Sequence, residues 1–156
     1  MKYKWKRHLI ILKHYKQHTY ESCGPACLRM ILERYGRDVS EQKLRKLSHC
    51  SKDGTDEWGL KKAAEKLGFE SITHYNLTFS RLIKKLEKNI PLLVAFREHW
   101  QIVIGYDASH ILIADPAVDR PFRKIRNKRF KYFWGEFNNW AMEFKPRSKQ
   151  WLRKHT

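Results

Sequence analysis

Apolar positions change their period near the middle of the chain. In the first half they recur every three or four residues, as on one face of a helix. In the second half they run together in blocks of about five, as in buried strands. Ala26, Leu28, Met30, Ile31, Leu32 and Tyr35 predict a helix over residues 22–35, ended by Gly36 just past its last turn. Ser40 is placed to cap a short helix carrying Leu44 and Leu47. After a polar turn at 51–54, Thr55 reads as the cap of a third helix through Trp58, Leu60, Ala63, Ala64 and Leu67, closed by Gly68. Residues 69–75 read as a strand. Thr78 or Ser80 then starts a fourth helix with Leu82, Ile83 and Leu86.

Three strands follow, at 91–96, 99–106 and 110–114. Asp107-Ala108-Ser109 turns the second into the third, and Asp115-Pro116 stops the third. Residues 135–140 suggest a short helical turn and 141–144 a closing strand. Residues 1–16 are basic and aromatic, with one apolar run that fits an edge strand. Helices first and strands after imply an α+β fold with an antiparallel sheet. Residues 1–144 are expected to form one domain, and 145–156 a basic tail.

Composition narrows the class. The chain has 156 residues, 42% of them apolar, enough for one globular domain with a real core. Thirty-three Lys and Arg against 16 Asp and Glu leave a net charge of +17. That balance implies an acidic peptide, a nucleic acid or an anionic membrane as partner, or else Lys-rich helix faces that are only solvated. Three Cys without framework spacing argue against a disulfide scaffold and for a reduced, cytoplasmic compartment. No apolar run is long enough for a membrane span or a signal peptide, so contact with a membrane would be peripheral.

Chemistry concentrates around Cys23. The predicted helix begins there, and a helix N-terminus carries partial positive charge and unpaired N–H groups. Both favour thiolate over thiol and can hold a negative oxygen. Cys27 shares the face of Cys23, but no second ligand pair accompanies it, so no metal or other cofactor is expected. Cys27 reads as a buried, inert thiol and Cys50 as incidental. Of the eight His, His99 is set apart because it opens an apolar strand. A hairpin turn centred near Asp107 would place His99 opposite Asp115, on one side of the sheet. An acid beside an imidazole fixes its tautomer and stabilises its charged form.

These residues resemble a known pattern. Gln17, Cys23, Gly24, Leu28, Met30 and Ile31, then His99-Trp100, then Asp115-Pro116, look like the bacteriocin-processing, double-glycine leader peptidases, which are papain-like cysteine peptidases. Gly54-Thr55, Leu60, Ala63, Ala64 and Gly68-Phe69 fit the same family's middle region. The resemblance runs from about Tyr15 to Pro116. It implies a papain-like fold, Cys23 as nucleophile, His99 as general base and acid, and Asp115 as the residue orienting His99. Gln17 would donate its side-chain amide to the oxyanion. The implied reaction is peptide hydrolysis through a thioester, often on a leader peptide after two small residues.

The chain departs from that pattern in two ways. Ser22 stands where the family usually has Asp, and no transmembrane span or Walker motif follows, so a stand-alone peptidase is expected, with a transporter or membrane-surface partner left open. The basic charge fits an acidic, amphipathic peptide substrate. Residues 120–140 interleave Arg123, Lys124, Arg126, Lys128, Arg129 and Lys131 with Phe130, Tyr132, Phe133 and Trp134. Such a segment can bind nucleic acid, or form an edge strand and small helix whose aromatics pack on the core; the second is favoured. Two rival functions follow: acyl transfer or amide hydrolysis on a non-peptide substrate, and a non-enzymatic nucleic-acid-binding module.

Overall fold

The computed structural model of the chain describes residues 7–147. Residues 1–6 of the expected edge-strand segment and 148–156 of the expected tail lie outside the described residues. The elements run β1 (His8–Leu9), α1 (Cys23–Arg34), α2 (Glu41–Leu47), α3 (Glu57–Lys66), β2 (Phe69–His74), α4 (Phe79–Glu87), β3 (Leu92–Phe96), β4 (His99–Tyr106), β5 (His110–Ala114), β6 (Arg123–Arg126), α5 (Asn127–Gly135) and β7 (Ala141–Pro146).

Local chemistry accounts for most helix ends. Ser40 and Thr78 accept the amide of the residue three positions on and so cap α2 and α4. Gly36 and Gly68, with φ of 91° and 88°, follow α1 and α3 in the left-handed conformation. Helix α3 corrects one expectation. Its cap is Asp56, which accepts Gly59 N–H at 2.8 Å, and not Thr55. The Thr55 carbonyl instead takes the indole N–H of Trp100 at 2.8 Å, which keeps Thr55 outside the helix.

The strands form one antiparallel sheet in the order β2-β7-β3-β4-β5-β6. β1 pairs with the far end of β4, where β3 has not yet begun. Consecutive residues Ile102, Val103 and Ile104 are all buried, as are Ile111, Leu112 and Ile113. Successive strand side chains point to opposite faces, so both faces of the sheet are covered. Helices α1 and α4 pack on β4, α3 on β2, and α5 on β3, β5 and β6.

The basic, aromatic segment forms edge strand β6 and helix α5. The helix lies at 127–135, inside the segment expected to hold an edge strand and a small helix, and ends where a helical turn at 135–140 was expected to begin. Phe130 and Trp134, four residues apart, are both buried on one helix face. Asn138 and Asn139 then take φ of 54° and 51°, folding the chain back so that Trp134 Nε1 donates to the Trp140 carbonyl at 2.9 Å. β7 lies inside the sheet, between β2 and β3, and runs to Pro146, two residues past the expected boundary. Lys145 pairs with Glu70 at 2.9 Å on the neighbouring strand.

Helices α2 and α3 meet at a point with no room for a side chain. A Cβ on Gly59 would lie 2.2 Å from the Ser48 carbonyl oxygen. Gly59→Ala therefore separates the two helices and is expected to cost about 2–3 kcal/mol of stability, read as a lower midpoint in urea denaturation. An unchanged midpoint would contradict this close approach.

Candidate active site

Helix α1 starts at Cys23 itself. The loop leading into it is fixed from several sides. The buried Glu41 carboxylate of α2 accepts His18 N–H at 3.2 Å. Arg45 of α2 donates to Thr19 Oγ1 at 2.7 Å and to Glu21 Oε1 at 2.9 Å. Ser22, fully buried, makes no helix cap. Its hydroxyl instead closes the turn on Thr19, accepting the Thr19 N–H and donating to the Thr19 carbonyl. Gln17 N–H donates to the Pro116 carbonyl at 2.7 Å, which ties this loop to the segment after β5.

Trp100 joins the helix to the sheet. Its ring meets the helix where Gly24 leaves space: a Cβ there would lie 3.1 Å from Trp100 Cδ1. Its indole N–H is held by Thr55, its ring packs on Trp140 at 5.4 Å, and its carbonyl accepts the Cys27 thiol at 3.4 Å. His99, the residue before it, is thereby carried to the first turn of α1. The tight turn of Arg97 and Glu98, with φ of 56° and 58°, closes the β3–β4 hairpin on the Phe96–His99 pair.

The β4–β5 register differs from the expected one. Ile102 faces Ala114 and Val103 faces Ile113; past an irregularity at Ile104, Gly105 faces Leu112. Continuing this register puts Asp115 opposite Gln101, two residues from His99. A slip of two keeps the same face, so Asp115 reaches His99 diagonally. His99 Nε2 and Asp115 Oδ1 are 2.6 Å apart. With Nε2 committed to Asp115, Nδ1 is the ring nitrogen left for Cys23, whose thiol is lowered by its interaction with His99.

Asp115 is held at both oxygens. Oδ1 also accepts Ala117 N–H at 2.9 Å, and Oδ2 accepts Arg123 Nε at 3.1 Å. Arg123 donates on to Gln101 Oε1, and Gln101 is itself buried. Arg123 and Gln101 were not among the candidates from sequence. Arg123 faces Ile113 across the β5–β6 ladder, so only the pairing of a third strand could have brought it to Asp115.

Burial raises the Cys23 thiol, but its hydrogen bond with His99, backbone contacts at Trp100 and Gly24 and the charge of His99 leave it below the ordinary thiol value. Cys27, fully buried, is pushed well above it by desolvation. Burial disfavours the His99 imidazolium, yet hydrogen bonds and charge at Asp115 and Cys23 raise it to about 9. Burial likewise opposes the Asp115 carboxylate, but His99, the Ala117 N–H and Arg123 bring it down to about 2. These opposed shifts favour a thiolate beside an imidazolium.

Gln17 lies on the same loop, but its amide is engaged. Nε2 donates to the carbonyls of Thr19 and Tyr20, each at 2.8 Å, while the buried Oε1 has no partner among the described residues. Beside His99 opens a cleft of about 490 Å³, walled by Trp100 and Trp140.

A thiol at a helix N-terminus, facing a sheet-borne histidine, defines a papain-like cysteine peptidase domain. The chain belongs to the Peptidase C39 family, whose profile matches residues 11–149. It is 36% identical over 141 residues to the lactococcin-G-processing and transport ATP-binding protein LagD of Lactococcus lactis, covering 83% of this chain and 19% of that protein. It thus spans about a fifth of that relative's length. An uncharacterised protein of Methanothermobacter marburgensis is 31% identical over 107 residues, covering 67% of this chain and 72% of that one. The peptidase domain of Streptococcus ComA, a bi-functional ABC transporter, superposes with a TM-score of 0.75 at 27% identity, covering 88% of this chain and 98% of that one. A double-glycine-motif protease of an AMS/PCAT transporter, solved with its leader peptide, gives 0.73 at 26% identity, covering 91% and 96%.

Two outcomes follow from this geometry. At neutral pH, iodoacetamide is expected to label Cys23 on the order of 10²-fold faster than Cys27, with His99→Ala moving the Cys23 profile to higher pH; peptide mapping reads both. The second is a stability profile. His99 lies above its ordinary 6.5, so its contribution is complete below that value and is lost as pH rises through about 9. Asp115 lies below its ordinary 3.8, so its contribution is complete above that value and is lost as pH falls through about 2. The Tm difference between wild type and Asp115→Asn should therefore peak between about 3.8 and 6.5 and shrink towards pH 9.

Proposed function

We propose that the chain hydrolyses a peptide bond through Cys23, His99 and Asp115. The observation that carries this reading is the histidine held between a thiol at a helix N-terminus and a buried carboxylate. Cys23 Sγ attacks the scissile carbonyl carbon, and the carbonyl electron pair moves onto oxygen. When that oxyanion collapses, the C–N bond breaks and the leaving amine takes the proton from His99 Nδ1. Water, deprotonated by His99, then attacks the thioester and releases the acid and the Cys23 thiolate. Asp115 keeps the imidazole in the tautomer and orientation that both steps need.

In this reading the backbone N–H of Cys23 receives the oxyanion, which its position at the start of α1 supports. Gln17 serves as the second donor when one of its N–H groups exchanges the Thr19 or Tyr20 carbonyl for the substrate oxygen. The substrate is a peptide or small protein, and processing of a leader peptide after a double-glycine-type site is the reading that the relatives support. A transporter or membrane-surface partner belongs to the same reading. Among the described residues no helix is long and apolar enough to cross a membrane. Acyl transfer to an amine shares the first step and differs in what resolves the thioester.

The nucleic-acid-binding alternative keeps only Tyr132 as an exposed aromatic of its stacking platform. Phe130 and Trp134 are buried, and Phe133 is stacked on Phe96, with Arg97 and Arg129 over its ring.

Quenched fluorogenic peptides with Gly-Gly and Gly-Ala junctions test the proposal. Cys23→Ala is expected to remove about 10⁴-fold or more of kcat/KM, and Asp115→Asn on the order of 10²–10⁴-fold. Arg123→Gln should cost roughly tenfold, in kcat rather than KM, because it frees one Asp115 oxygen without touching the thiol. Cleavage that survives Cys23→Ala would refute the mechanism. Mass analysis of the products with and without added amine separates hydrolysis from acyl transfer.

A further inference from the structure

The cleft in front of His99 carries the opposite charge from the rest of the chain. Its charged lining other than His99 consists of Asp56, Glu57, Glu98 and Glu136, with no Lys or Arg. Lys and Arg make up 33 of the 156 residues, so ten lining residues taken without regard to charge would include about two. Two of the carboxylates have protein partners: Asp56 accepts Gly59 N–H, and Glu57 accepts Trp140 Nε1 at 3.1 Å. Glu98 and Glu136 have no hydrogen-bond or ion-pair partner among the described residues. Some acids elsewhere are matched, as in Glu21–Arg45, Glu70–Lys145 and Glu143–Lys85, while Glu33, Asp53, Glu65 and Asp119 also have no such partner among the described residues, so it is the place of Glu98 and Glu136 in the cleft that sets them apart. The Arg97–Glu98 turn divides its two charges. Arg97 lies over the Phe133 ring of α5 at 4.6 Å, while Glu98 lines the cleft.

We propose that this cleft selects a substrate with a Lys or Arg side chain close to the scissile bond, with Glu98 and Glu136 as specificity-determining residues. The inference rests on the Cys23–His99 reading, because a residue flanking the scissile bond must enter the space in front of His99. Trp100 and Trp140 form apolar walls for the aliphatic stem of such a side chain, and their ring faces attract its cation. The two unpartnered carboxylates receive the charge. An acidic partner, expected from the net charge, then suits surfaces outside the cleft and not the residues at the cut.

The test uses the full chain and three probes with one reactive head: the bromoacetyl derivatives of lysine amide, alanine amide and glutamate amide. Labelling rates are mapped at Cys23 and at Cys50, which lies outside the cleft and reports the effect of net charge. At low ionic strength the lysine probe should outpace the glutamate probe at Cys23 by roughly fivefold relative to the same ratio at Cys50, and the preference should fade in high salt. The double variant Glu98→Gln, Glu136→Gln should bring the Cys23 ratio to that of Cys50. Fast labelling of Cys23 with no such preference, or a preference that survives the double variant, overturns the charge selection alone. Labelling of Cys23 no faster than Cys27 with all three probes overturns the catalytic reading and the selection with it.

Discussion

The docking of the first turn of α1 against the start of β4 is the constraint on which the site depends. Cys23 belongs to a helix and His99 to a strand, and no covalent or ladder bond joins the two elements. Trp100 fills that junction. It contacts the helix at Gly24, hydrogen-bonds the loop before α3 through Thr55, and receives the Cys27 thiol at its carbonyl. Helix α1, the loop before α3 and the sheet are thereby set against one residue. A hydrogen bond between Cys23 and His99 tolerates only a few tenths of an ångström, so packing density at Trp100 does the positioning that pairing alone would not.

The same junction sets the electrostatics. The α1 N-terminus and His99 both favour the thiolate, whereas burial opposes it. Asp115 and the thiolate together make the imidazolium stable despite its own desolvation. Arg123 stops Asp115 from drawing the proton fully to itself, since the carboxylate already answers a permanent cation. Each charge is thus balanced by the next, from Arg123 through Asp115 and His99 to Cys23, with Gln101 Oε1 accepting from Arg123. The series crosses from β6 to α1 without relying on the surface charge of the protein.

Local signals in the sequence were enough to locate the elements. Periodicity, Ser40 and Thr78 as caps, and the glycines after α1 and α3 correspond to features that a few neighbouring residues determine. The expected order of helices before strands also matches the antiparallel sheet with its helices. What escaped depends on distant pairing. Thr55 looked like a cap because the indole that claims its carbonyl is 45 residues away. The β4–β5 register was two residues out because the chain turns at Ala108-Ser109, with Asp107 N–H on the His110 carbonyl, and not around Asp107; the irregularity at Ile104 takes one residue of that offset back, and the resulting even slip is the reason His99 and Asp115 still met. The favoured edge strand and small helix in 120–140 correspond to β6 and α5, while the helical turn expected at 135–140 was late, because the burial of Phe130 and Trp134 that fixes α5 depends on the sheet beneath them.

Buried polar groups show where the fold gives up stability for arrangement. Among the described residues, the buried polar and charged side chains are Ser22, Glu41, Ser48, Gln101, Asp115 and Glu143. Each costs desolvation and must be matched by hydrogen bonds. Glu143 ties Lys85 and His74 to the sheet, away from the thiol. The other five support the site. Ser22 and Glu41 hold the loop before Cys23, Gln101 and Asp115 hold the histidine side, and Ser48 ends α2 where Gly59 brings in α3 and the Thr55 loop. A fold selected only for stability would fill most of these positions with apolar side chains. Their concentration on both sides of Cys23 and His99 is what the proposed role of Cys23 as a pre-organised nucleophile requires.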